Sequence, residues 1–257
     1  MKNSYPYLGL FVSLCLSLCA CSQNSTQKPE PVVKEHSHTL GTTTIGIRQT
    51  TYPTTFPIQF VQLHHNELTA DAATRTVSEE MGIDYLQIRN NEKRLVDFTL
   101  NGKPYRFDPN RMFSKEGIVN SMKLHSRYSE DGFVNISSFR DFILTLLERK
   151  KTIVAVHNNT DGDFTIANYK KSKTGLVHQN VSHDPDDFFI TTDSLLFTKL
   201  KEKDFNVVWE NGHLLEDDGS LSIYCSRNEI VYVNVEAEHG HQEQQERMLR
   251  TLIEILR

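Results

Sequence analysis

Cysteine is scarce in this 257-residue chain: four residues in all, Cys15, Cys19, Cys21 and Cys225. Three of them crowd into the N-terminal segment, which leaves Cys225 alone in the body of the chain. That excludes an internal disulfide framework there, and a zinc site built on cysteine. Positive charge is also short. The 28 Lys and Arg against 33 Asp and Glu give a formal charge of −5. With no basic patch to neutralise phosphates, nucleic acid is not an expected partner. No apolar run reaches the roughly 20 residues that span a bilayer as a helix. Internal repeats are absent.

The longest apolar run, Tyr7–Ala20, follows Lys2 and reads as the core of a secretory signal peptide over residues 1–20. It closes with Leu18-Cys19-Ala20-Cys21-Ser22, which resembles a bacterial lipobox. The resemblance implies cleavage before Cys21 and lipidation of its thiol. The expected location is the bacterial cell envelope, held by a lipid anchor. In a host with two membranes, serine after Cys21 implies the outer one, facing the periplasm. Residues 21–40 are rich in Ser, Gln, Lys, Pro, Glu and Thr and are expected to form a flexible tether. Residues 41–257 then suffice for one domain with a sizeable core.

Within that domain, strand and helix patterns alternate. Thr42–Ile47, Ile58–Leu63, Tyr85–Arg89, Leu95–Leu100, Thr152–Val156, Asn206–Trp209, Leu221–Tyr224 and Ile230–Val235 read as strands, and Asp163–Ala167 as a further candidate. Leu68–Met81, Ser137–Lys150, Asp193–Lys201 and Gln242–Leu256 carry helical periodicity. The pattern predicts an α/β three-layer sandwich, a mixed but mostly parallel central sheet with helices on both faces. Sites in such sheets lie at the carboxyl ends of strands. His64, His157 and Glu236 each follow or end a predicted strand.

A catalytic zinc takes three protein ligands, commonly His and Glu, and keeps one position open. His64-x-x-Glu67 offers two such ligands from a strand-to-helix turn. The spacing alone does not choose the site, because His213-x-x-Glu216 repeats it. His157 is a third candidate ligand, and alone could equally be a hydrogen-bonded core histidine.

The surrounding segments narrow the choice. His64-His65-Asn66-Glu67-Leu68-Thr69-Ala70 resembles the His-Gly-Asn-Glu-(Leu)-Thr segment of the succinylglutamate desuccinylase and aspartoacylase family. Val156-His157-Asn158-Asn159-Thr160 resembles the same family's Leu-His-Asn-Thr-Thr segment. Asp108-Pro109-Asn110-Arg111-Met112-Phe113 resembles a motif shared with zinc carboxypeptidases of the same superfamily. Val233-Asn234-Val235-Glu236 resembles the strand that delivers a catalytic glutamate. The four segments stand in the family's order.

The resemblance implies a zinc-carboxypeptidase-like fold with Zn2+ held by His64, Glu67 and His157. It implies that Arg111, with Asn110 beside it, grips a substrate carboxylate, a task suited to the planar guanidinium fork. Glu236 would be the general base, with Glu238 as competitor. Arg106 is the expected oxyanion helper, with Arg89, Arg94 and Lys103 as alternatives. Tyr224 is a candidate for the tyrosine ahead of the catalytic glutamate. His65 replaces the family's glycine, as either a pocket-narrowing side chain or a packing group.

The function so implied is a zinc-dependent hydrolase that cleaves an amide bond next to a free carboxylate. Its expected substrates are cell-wall peptides, attacked as by a carboxypeptidase or amidase. The alternatives are an N-acyl amino acid deacylase, and a non-catalytic carboxylate-binding lipoprotein of the same fold. His183-Asp184-Pro185-Asp186-Asp187 reads as an acidic loop. His157-x-Asn159-x-Asp161-Gly162 has part of a calcium-loop pattern, but no glutamate closes it, so no calcium loop is expected.

Overall fold

Side chains point alternately to the two faces of a strand, and here the alternation sorts the core into two halves. The computed structural model describes residue 1 and residues 30–53, 56–148, 151–169 and 175–257. The expected signal peptide, apart from residue 1, and the expected lipidation site Cys21 lie outside the described residues. In β7 (Thr152–Asn159), Val154 and Val156 join one hydrophobic cluster, while Ile153 and Ala155 join the other. In β3 (Ile58–Gln62), Ile58 and Phe60 divide from Val61 in the same way. In β11 (Tyr232–Glu238), Val233 and Val235 divide from Tyr232.

The first cluster is covered by α1 (Leu68–Met81), α4 (Ser194–Glu202) and α6 (Gln242–Leu256). The second is covered by α2 (Lys115–His125), α3 (Glu130–Leu146), α5 (Leu221–Arg227) and a hairpin of β5 (Val96–Leu100) and β6 (Lys103–Phe107). The central sheet also contains β1 (Val32–Leu40), β2 (Thr43–Thr51), β4 (Asp84–Arg89), β8 (Gly175–His178), β9 (Phe188–Thr191) and β10 (Val207–Glu210). Its order is β1-β2-β4-β3-β7-β11-β9-β10-β8. The run β4-β3-β7-β11 is parallel throughout, and β9 pairs antiparallel with β11. This is the expected three-layer α/β sandwich with a mixed sheet.

Three expectations need correction. The tether was expected to reach residue 40, yet Val32–Leu40 is β1, paired antiparallel with β2 over its whole length. Its polar side chains hide it: most are exposed, and backbone pairing holds the strand. His36 and His38, expected in the tether, rest on Phe139 and Phe142 of α3. Leu221–Tyr224 is helical rather than extended, because the Ser220 side chain accepts from Ile223 N and caps α5. Asp163–Ala167 is not a strand: it leads into a single 3-10 turn, Ile166–Asn168.

Candidate active site

The parallel register of β7 and β11 sets Glu236 directly beside His157. Both side chains lie on the face that carries Ile153, Ala155 and Tyr232. β3 ends one strand over, and its continuation brings His64 to the same carboxyl edge. Glu67 is the N-cap residue of α1, but its side chain makes no cap bond. Its carboxylate turns to the histidines instead. Asn158 takes over the capping: its Oδ1 accepts from Ala70 N at 2.7 Å, and its Nδ2 donates to Ala237 O and Gln245 Oε1. One side chain thus ties β7 to α1, β11 and α6.

His64 Nδ1 lies 2.9 Å from Glu67 Oε1 and 3.2 Å from His157 Nδ1, and His157 Nδ1 lies 3.0 Å from Glu67 Oε2. All three residues are buried. His64 Nε2 donates to Asp108 Oδ1 at 2.7 Å. That bond keeps a proton on Nε2 and turns Nδ1 toward Glu67 and His157 as the nitrogen a metal would take, the orientation a metal-binding histidine needs. Two facing ring nitrogens and a carboxylate, all withdrawn from water, match the donor set of a divalent metal. Among the described residues, three side-chain clusters bring ligand atoms together, and this one alone is wholly buried.

The electrostatics agree. Burial opposes charge on His64, but Glu67 and Asp108 outweigh it and raise its pKa to about 9. Burial likewise opposes charge on Glu67 and Asp108. The adjacent histidines overcome it for Glu67, and His64 with Arg94 for Asp108, so both carboxyls lie well below the usual range. The site already favours concentrated charge. Glu236 is different. Its burial pushes its pKa up, against the pull of His157, while Asn234 Nδ2 donates to its Oε1 at 2.9 Å.

These groups open into a cleft of about 760 Å³, lined among others by Arg94, Asn110, Arg111, Tyr169, Glu210, Ser222 and Glu236. Arg111 Nη1 reaches Asp218 Oδ2 at 3.5 Å and donates to Asn110 O at 2.9 Å. Asn110 Oδ1 accepts from Leu221 N, which ties the motif to the start of α5. Glu238 does not line the cleft, although it shares a strand face with Glu236.

Arg106 is not at the cleft. It is exposed on β6 and paired with Asp97. Arg94, one of the alternatives, does line the cleft, with Nη1 2.8 Å from Glu67 Oε1 and Nη2 3.9 Å from Asp108 Oδ2. The cause is local: β6 turns Tyr105 and Phe107 into the core and so turns Arg106 outward. His65 has a definite task. Its Nδ1 accepts from Asn90 N and Glu92 N at 2.8 and 2.9 Å, and so holds the turn that leads to Arg94. The decoy pair His213 and Glu216 is exposed in a loop. Sequence reasoning gave Asp108 and Asn158 no role, although both stood in the quoted motifs. Glu210 was missed altogether, as a lone acid at a strand end carries no signal.

No family model matches the chain, and no curated protein sequence matches it. Solved structures do resemble it. The murein-tripeptide amidase MpaA of Escherichia coli O157 is 11% identical, with 89% of this chain and 92% of that one covered and a TM-score of 0.46. An aspartoacylase family protein of Mesorhizobium loti is 12% identical, covering 91% and 69%, with a TM-score of 0.46. Succinylglutamate desuccinylase/aspartoacylase of Rhodobacter sphaeroides is 12% identical, covering 90% and 67%, also at 0.46.

Proposed function

We propose that the protein is a zinc-dependent hydrolase of an amide bond adjacent to a free carboxylate. The observation that carries this reading is the buried His64–Glu67–His157 ring with Glu236 beside it and Arg111 in the same cleft. His64, Glu67 and His157 would hold the zinc. When bound, the metal polarises the scissile carbonyl and lowers the pKa of water.

The chain's own groups do the rest. Arg111 and Asn110 fix the substrate carboxylate and so set which carbonyl reaches the ring. Glu236 takes a proton from the attacking water as the carbon–oxygen bond forms, then delivers it to the amine as the carbon–nitrogen bond breaks. Arg94 lies against Glu67 and supplies positive charge where the carbonyl oxygen becomes anionic. Tyr169, Ser222 and Glu210 line the remainder of the cleft. A carboxylate there disfavours an acyl group with its own negative charge and supports a peptide substrate over a succinyl-type one.

The lipobox-like Cys21 supports an envelope location and cell-wall peptides as the substrate class. Incubation of the protein with muropeptides and with N-acyl amino acids, followed by mass spectrometry, tests the reading. Release of a terminal amino acid or amino-acid-bearing fragment from muropeptides is expected. Loss of an acyl group alone would transfer the assignment to a deacylase, and no product from either would leave a binding protein. Arg111→Ala should raise KM about tenfold or more for a carboxylate substrate, and far less for its amide.

A further inference from the structure

The segment Asn159-x-Asp161-Gly162 carries part of a calcium-loop pattern without the closing glutamate. The fold brings carboxylates to it from elsewhere in the chain. β7 and β11 run parallel with Asn159 paired to Glu238. The loop that enters β9 lays Asp186 over their ends, where Asn159 Nδ2 donates to Asp186 O at 2.7 Å. One carboxylate oxygen from each of Asp161, Asp186 and Glu238 lies within 4.8 Å of the others. Calcium binds oxygen at about 2.3–2.6 Å, so opposed donors stand roughly 4.6–5.2 Å apart across the ion. The three oxygens can share one centre.

Two orphaned atoms point to a missing ligand. Asp186 is 1% exposed and Asn159 8% exposed, and among the described residues the Oδ1 of each has no hydrogen-bond partner. Neither side chain is loose, because Asp186 Oδ2 accepts from Gly162 N at 2.8 Å and Asn159 is held by its Nδ2. A buried carboxylate oxygen left unpaired is costly, and native folds rarely tolerate one without a ligand or water. Charge adds to the case. Asp184 and Asp187 belong to the same region, and the ion pairs there come from His241, 3.6 Å from Asp187 and 3.5 Å from Glu238. Among the described residues no Lys or Arg pairs with any of these five acids.

We propose that Asn159, Asp161, Asp186 and Glu238 form a calcium site that clamps the ends of β7 and β11. Donors that are all oxygen select a hard cation over zinc. Their irregular origin, from two strands and two loops, suits calcium better than magnesium, which demands a near-octahedral shell. Asp161, Asp186 and Glu238 lie outside the cleft that holds the histidine ring, and Asn159 borders both. The site's ligands lie two residues beyond His157 and Glu236 on their strands, so it would steady both.

Calorimetric titration of CaCl2 into the full-length protein, with melting temperature followed in parallel, tests this. One bound ion is expected, with a melting temperature that rises and saturates over the same concentrations. Glu238→Gln, at a partly exposed position, should weaken binding at least tenfold and leave the zinc content unchanged. Asp186→Asn should do the same. MgCl2 should bind at least tenfold more weakly. The proposal is overturned if calcium at about 10 mM, well above the weakest affinities of such sites, shifts nothing. It is equally overturned if Glu238→Gln binds calcium as tightly as the unchanged chain, or if magnesium binds as well.

Discussion

Glu236 illustrates what one residue owes to its surroundings. A carboxylate in water is a weak base. Burial raises the pKa of Glu236 above its ordinary 4.5, which makes it a better proton acceptor. Asn234 keeps it aimed by donating to Oε1. The Glu236→Gln variant retains shape and that hydrogen-bonding edge but accepts no proton. It should keep the metal and lose about 10²–10⁴ in kcat, the usual weight of a positioned base. The acid limb of the kcat/KM profile should stand above the usual carboxylate range, because the base must be ionised to act. A profile that stays flat down to pH 4 would remove Glu236 from the role. At this scale, motif words located the ring and the candidate base. They could not separate Arg94 from Arg106, since that choice depends on which way β6 turns its side chains. Asp108 escaped for a related reason: its partner His64 is 44 residues away in sequence.

Elements explain why a histidine can follow His64 where a glycine was expected. Asn91 and Glu92 both have positive φ, 47° and 54°, an unusual conformation for residues with side chains. The His65 ring accepts the amides on either side of Asn91 and so stabilises that turn. Its pKa is lowered, first by burial and then by Arg89, which keeps Nδ1 free as an acceptor. His65→Ala should therefore act at a distance. Arg94 loses its fixed position, and kcat should fall about tenfold while bound zinc is retained, an effect of displaced charge rather than lost metal. Metal analysis beside steady-state kinetics distinguishes the two, and loss of zinc would place His65 in the metal site itself. Two helices were legible to the residue, as α1 and α6 occupy Leu68–Met81 and Gln242–Leu256 as expected, whereas the pattern at Ser137–Lys150 caught only the second half of α3, which starts at Glu130 behind the Ser129 cap. Elements without strong periodicity were not legible. β1 is polar, α2 buries only Gly117, Ile118, Ser121 and Met122, and α5 owes its helix to the Ser220 cap. β6 follows Asn101-Gly102, where both residues have positive φ, a hairpin signal the strand patterns alone did not use.

For the molecule as a whole, the ring is a charged knot set into the end of an apolar sheet. The α/β class could be read from alternating patterns, because the central strands are buried on both faces and mostly apolar, with only a few polar interruptions such as Gln59, Gln62 and Asn234. The convergence of the ring could only be inferred from strand ends, as it depends on register. That convergence ties global stability to protons and metal. In the metal-free protein, His64 has its pKa raised from 6.5 to about 9 by Glu67 and Asp108. Its contribution to stability is fully present below pH 6.5 and is lost as pH rises through about 9. Glu67 and Asp108 are depressed, so their contribution is present above the usual carboxylate range and is lost as pH falls well below it. Metal-free protein should thus be most stable near pH 5–6.5, and should lose at most about 3 kcal/mol between there and pH 9.5. Zinc bound at the proposed site would replace the proton on His64, so binding should release protons at pH 7.5. The zinc-loaded protein should then show no alkaline loss over the same interval. Denaturant melts of both forms at pH 6 and 9.5 read this directly. Equal slopes with pH in the two forms would mean that His64 does not exchange its proton for metal, and that the ring is a hydrogen-bonded core feature.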